Sequence, residues 1–138
     1  MNISKFTQKS VQAVQDLEKV AYEYGNQEIE EEHLLYALLT QEDSLILKLI
    51  EKMEIQKEYF IDTVKKALDA KVKVSGGELR FGQYLNKALV SAEDEAKAMG
   101  DEYVSVEHLF LSMLKNPSPS MKKIFNEFGI TRERFLQA

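Results

Sequence analysis

The stretch GNQEIEEEHLLYALL, Gly25 to Leu39, is written again 75 residues later as GDEYVSVEHLFLSML, Gly100 to Leu114. In each copy a Gly suited to a helix C-cap precedes a short polar hinge, one branched apolar residue (Ile29, Val104), and then Glu-His-Leu opening an apolar run. Each copy reads as the joint between two helices. The second helix of the joint, LLYALL or LFLSML, is apolar around most of its circumference, which predicts that other helices enclose it.

Sliding the whole chain by the same offset extends the match. Residues 6–63 lie over 81–138 without a gap, and 14 of the 58 pairs are identical, among them Phe6/Phe81, Glu32/Glu107, His33/His108 and Phe60/Phe135. Other pairs exchange one apolar residue for another, such as Met53/Phe128. The expected architecture is all-α: a pseudo-twofold eight-helix bundle of two tandem four-helix repeats in one domain, 1–138. Repeat one spans about 6–70, a connector about 71–80, and repeat two about 81–138.

In repeat one, Thr7 is the candidate N-cap of a helix running to about Tyr24, whose core face is Val14, Leu17, Val20, Ala21 and Tyr24. Val11, Tyr22 and, in repeat two, Val90 lie off the stripe and are candidates for an apolar contact surface. Glu28 to Glu32 places four Glu at a helix start, where they favour the positive end of the dipole. Asp43 or Ser44 caps a third helix to Met53, and a fourth begins near Gln56. The connector KVKVSGGELR reads as a flexible turn. Repeat two predicts helices near 82–99, 106–115, 118–128 and from 131, with Pro119 at a first helical position. Because the last helix stops at Ala138 while its counterpart runs to about Ala70, a longer protein is expected.

Composition narrows the chemistry. With 138 residues and 44% apolar content the chain can bury one sizeable core. It has no Cys, hence no disulfide framework or thiolate metal site. No apolar run approaches a membrane span, and Met1 to Phe6 lacks a leader's apolar core, so a cytoplasmic domain without a membrane role is expected. The net charge of −5 falls mostly on residues 6–63, which carry 13 acidic and 5 basic groups. That bias, with no basic recognition helix, argues against a nucleic-acid partner.

No phosphate loop, dinucleotide fingerprint, paired-His metal motif or nucleophile elbow occurs. Only His33 and His108 offer imidazole. As equivalents in two repeats, each just after a helix start, they read as structural His residues bonding within their own units, alongside Gly25 and Gly100, rather than as metal ligands or acid-base catalysts.

The doubled joint, the opening KFTQKS, the connector KVSGG and the phrase AKAMGDEYVSVEHL together resemble the Clp amino-terminal domain over essentially the full length. Within that family NQEIEEEHLLYALL and GDEYVSVEHL are similar to the ClpB disaggregase branch more than to the ClpC branch. The resemblance implies a non-enzymatic domain, monomeric in isolation, that engages unfolded or aggregated proteins and passes them to a hexameric AAA+ ring. The ATPase modules, with their ATP and Mg, would follow residue 138; the domain itself would need no cofactor. Adaptor proteins or a partner chaperone are further expected partners. By family match the substrate-binding residues are Thr7, Asp101 and Glu107. In the ClpC-like alternative, Glu32 and Glu107 would dock an adaptor or phosphoarginine and the parent would feed a protease. Opposite Thr7 stands Gly82, so a site using that hydroxyl is not duplicated.

Overall fold

The computed structural model describes residues 3–138; Met1 and Asn2, the start of the segment read as lacking a leader's core, lie outside the described residues. After a 3-10 turn at Ile3–Lys5, repeat one contains α1 (Gln8–Gln15), α2 (Leu17–Tyr24), β1 (Glu28–Ile29), α3 (Glu31–Leu39), α4 (Leu45–Lys52) and α5 (Lys57–Asp69). Repeat two contains β2 (Arg80–Phe81), α6 (Gln83–Ala98), α7 (Val106–Lys115), α8 (Pro119–Glu127) and α9 (Arg132–Gln137). The all-helical expectation is met, with one division: a turn at Asp16 splits the first helix, whereas α6 is continuous. Asp is a weak helix former, and its backbone here (φ −78°, ψ −10°) departs only slightly from helical.

Local signals set the ends. Thr7, Ser44, Gln56, Ser118 and Thr131 each accept a backbone N–H at the start of the helix that follows. Gly25 (φ 70°) and Gly100 (φ 72°) close α2 and α6 in the left-handed conformation. In both, the next residue's N–H returns to a carbonyl five positions back, at 2.9 Å for Asn26 to Ala21 and 2.9 Å for Asp101 to Ala96.

The enclosed helices are α3 and α7. Leu34, Leu35 and Leu38 on α3, and Leu109, Phe110, Leu111 and Met113 on α7, are completely buried. Burying each side chain of this size is worth about 2 kcal/mol. Around α3 pack α1, α2, α4 and α5, with α6 and α7 closing it from the other repeat. Phe110 stacks on Phe135 with centroids 4.5 Å apart. Phe60 of α5 meets Phe128 of repeat two edge-on at 4.9 Å.

What joins the repeats is a reciprocal exchange of backbone. The residues before α1 pair with the hinge of repeat two, Phe6 against Val104; those before α6 pair with the hinge of repeat one, Phe81 against Ile29. Thr7 N–H donates to Val104 O at 2.9 Å, and Gly82 N–H donates to Ile29 O at 2.8 Å. These are the same bond 75 residues apart. The approach is close: a Cβ on Gly82 would sit 2.8 Å from Glu28 Oε1, which could swing aside, and 3.3 Å from Ile29 O, whereas Thr7 carries a side chain at the equivalent bond.

The connector is accordingly not a free turn. Val74 N–H donates to Gly25 O at 2.9 Å, Asn26 Nδ2 donates to Val72 O at 3.0 Å, and the segment ends in β2. Gly76 and Gly77, both at positive φ, supply its reversal. Among the described residues no helix is long and apolar enough to cross a membrane.

Glu54 closes α4's turn at φ 63°, while its counterpart in repeat two is Gly129 at the same φ. A left-handed non-Gly residue costs on the order of 1 kcal/mol. Glu54→Gly should therefore raise stability by about 0.5 kcal/mol, and Gly129→Ala, whose Cβ would meet Arg134 Nη1 at 3.0 Å, should lower it by about 1 kcal/mol or more. Urea unfolding of both variants checks the opposite signs.

Candidate functional site

Each joint is locked by its imidazole. His33 and His108 occupy the third position of α3 and α7, and both are buried. Nδ1 accepts the N–H of the N-cap residue, Glu30 at 2.8 Å and Ser105 at 2.9 Å. That bond leaves the other ring nitrogen as the donor, and Nε2–H donates to Asn26 Oδ1 at 2.9 Å or Asp101 Oδ2 at 2.8 Å. Asn26 and Asp101 are also repeat equivalents, each seven residues before its His. Asp101, half-exposed at 49%, thus has one carboxylate oxygen committed to a structural bond. Among the described residues no group of three or more His, Asp or Glu is arranged to hold a metal ion.

Thr7 and Glu107 come together where the repeats meet. Thr7 Oγ1 caps α1 by accepting the Ser10 N–H at 3.3 Å, and it donates to Ser10 Oγ at 3.0 Å. Glu107, second residue of α7, lies half-buried beside it, because the Thr7–Val104 bond pins the start of α1 next to the start of α7. The two line a cavity of about 200 Å³ with Lys9, Gln41, Asp43, Leu45, Ser105 and Val106. Glu107 makes no hydrogen bond or ion pair among the described residues, so its carboxylate is available to a ligand. Lys9 also lines the shallow groove that contains Val11, Gln8, Gln12 and Gln15, which extends the surface along α1.

The remaining candidates lie apart. Asp101 is not among the residues lining that cavity. Tyr22 (72% exposed) and Val90 (53%) stand on α2 and α6 outside both the cavity and the groove. Glu32 lies in the first turn of α3, at the positive end of the dipole, and is also enclosed: it is 0% exposed, hydrogen-bonded by Ser120 and 3.2 Å from Lys71 Nζ. Glu31 is equally buried, accepting the Ser118 N–H at 2.8 Å. The reason is tertiary. At this end of the pseudo-twofold, α8 sits over the start of α3.

Repeat two also has a cavity of about 490 Å³ with no place in the sequence reading. Leu114, Phe125 and Ile130 form its apolar lining, and Glu95, buried, pairs with Arg132 at 2.7 Å. The counterpart of Glu95 is Val20, and that of Lys122 is Leu47. An acid and a base at positions that are apolar in repeat one were the available signal.

Burial lowers the His33 pKa to about 4, with the Lys71 charge acting in the same direction. The ring should stay neutral, with its proton on Nε2, at pH 5.5. Imidazole nitrogen NMR between pH 7 and 5 checks this; titration near 6.5 would contradict the buried bond.

The sequence profile of the Clp repeat (R) N-terminal domain matches residues 5–128. Chaperone protein ClpB of Nitratidesulfovibrio vulgaris is 39% identical over 99% of this chain, which spans 16% of that relative's length. The Hsp104 N-terminal domain of Candida albicans superposes with TM-score 0.83 at 21% identity, covering 97% of this chain and 88% of its own. A ClpV N-domain in complex with a VipB peptide superposes with TM-score 0.74 at 21% identity, covering 95% and 82%. Two tandem copies of one helical unit, locked by equivalent His residues and joined by exchanged backbone, together with a family profile that covers most of the chain, place it in the Clp repeat N-terminal domain family.

Proposed function

We propose that this chain is the substrate-engaging amino-terminal domain of a ClpB-like AAA+ chaperone, which binds unfolded or aggregated polypeptide and passes it to an ATPase ring. The catalytic machinery would then belong to the rest of the protein and the domain would act by binding, with ATP and Mg held elsewhere. The observation that carries the reading is the Thr7–Glu107 crevice at the seam of the repeats. It offers an uncommitted carboxylate, a hydroxyl, and apolar wall from Leu45 and Val106, continued by Val11 along α1. Such a surface accepts an extended peptide with one basic or amide group near an apolar side chain. A domain that releases its cargo needs weak affinity, and micromolar binding corresponds to about −8 kcal/mol. The peptide complex of the similar ClpV N-domain supports peptide binding as a use of this fold.

The alternative, a ClpC-like domain docking an adaptor or phosphoarginine through Glu32 and Glu107, is disfavoured by the complete burial of Glu32 between Lys71 and Ser120. Asp101, Tyr22 and Val90 are secondary here, since Asp101 is engaged with His108 and the other two stand apart.

Titration with a labelled, permanently unfolded polypeptide tests the site. Glu107→Gln should weaken binding about tenfold, or about 1.4 kcal/mol, with stability changed by less than about 0.5 kcal/mol. Thr7→Ala should weaken it too, while losing about 1 kcal/mol of cap stability. Unchanged affinity in both variants, with binding lost in Asn126→Trp, would move the site to the larger cavity of repeat two.

A further inference from the structure

The pseudo-twofold has two ends, and they differ. At one, Val106 and Glu107 of α7 face Asp43 and Leu45 across the open crevice. At the other, the equivalent residues of α3 are Glu31 and Glu32, and the start of α8 is clamped onto them. Glu31 Oε1 accepts the Ser118 N–H at 2.8 Å; Glu32 accepts the Ser120 hydroxyl. Lys71 Nζ lies 3.2 Å from an oxygen of Glu32 and 3.2 Å from one of Glu30, and no ion pair reaches Glu31 among the described residues. Glu31 Oε2 is buried without a hydrogen-bond partner among the described residues. A bare carboxylate in that position would be an uncompensated buried charge, whereas a carboxylic acid with its proton on Oε2 is neutral and still accepts the amide at Oε1.

We propose that Glu31, Glu32, Lys71, Ser118 and Ser120 form a proton-dependent latch between the repeats: while Glu31 holds its proton the start of α8 stays seated on α3, and release of that proton loosens this seam. The surroundings favour the neutral acid. Glu28, Glu30 and Tyr84 line the same cavity of about 240 Å³; Glu28 is engaged by Arg80 at 3.7 Å, and α8 contributes Ser118. Burial pushes the Glu31 carboxyl up to about 8, against the opposing effect of the Ser118 N–H, and the Glu32 and Glu30 charges add to the rise.

A carboxyl raised from 4.5 to about 8 gives stability that is complete below pH 4.5 and declines as pH rises to about 8. His33, depressed from 6.5 to about 4, has the opposite slope over that lower range, losing stability as pH falls below 6.5. The two largely offset each other between about pH 4.5 and 6.5. From 6.5 to 8 Glu31 acts without that opposition.

Urea unfolding and Ser118 amide exchange across pH 5.5 to 8.5 test the latch. For the wild type, the folding constant should fall by up to about tenfold between pH 6.5 and 7.5. Protection of the Ser118 amide, corrected for intrinsic exchange, should fall over the same interval. Glu31→Gln keeps the acceptor and cannot ionise, so both quantities should be flat there. Parallel profiles in wild type and variant would overturn the proposal. Carboxyl carbon NMR of Glu31 in the wild type needs no variant, and a midpoint near 4.5 would overturn it as well.

Discussion

Two backbone hydrogen bonds, Thr7 N–H to Val104 O and Gly82 N–H to Ile29 O, fix how the repeats sit on each other. Neither repeat can make its own: each lends the residues before its first helix to the hinge of the other. The hinges are held in a shape to receive them by His33 and His108, which tie the N-cap backbone to Asn26 and Asp101 just past the glycine turns. Removing any part of this circuit would leave buried polar backbone unsatisfied, at about 1–3 kcal/mol for each group. The duplication therefore yields one closed unit rather than two beads on a string.

The same circuit accounts for the difference between the two ends of the seam. Identical backbone pairing presents α3 to α8 at one end and α7 to the start of α4 at the other. Glu31 at the first position and Val106 at the second decide the outcome: the first end is closed by buried polar bonds, the second is left as a crevice holding Glu107. The proposed substrate surface and the proposed latch are thus one architectural position used in two ways.

Much of this was legible in the sequence because it is local. Gly25 and Gly100 announce helix ends, Thr7, Ser44, Gln56 and Pro119 announce starts, and the 75-residue offset carries one repeat onto the other. What escaped is long-range. A two-residue strand such as Arg80–Phe81 has no periodicity to read, so the connector looked free although it is tied to Gly25 and Asn26. Glu31 and Glu32 matched the helix dipole equally well whether exposed or buried, and only the position of α8 distinguishes the two. Only family match singles out Thr7 and Glu107, since 100 residues of sequence separate two side chains that share one small cavity. The bond from His108 to Asp101 has a local signal, a seven-residue spacing repeated by Asn26 and His33.

The mutual dependence of the repeats is tested most directly by native-state amide hydrogen exchange at Thr7, Gly82 and Val104, whose N–H groups cross the seam. If the exchange of backbone joins the halves into one unit, these three amides exchange only through global unfolding, with the same free energy as Leu35 and Leu111 in the enclosed helices. Exchange of all three at a free energy several kcal/mol lower, with α3 and α7 still protected, would mean that the repeats are stable separately and merely touch.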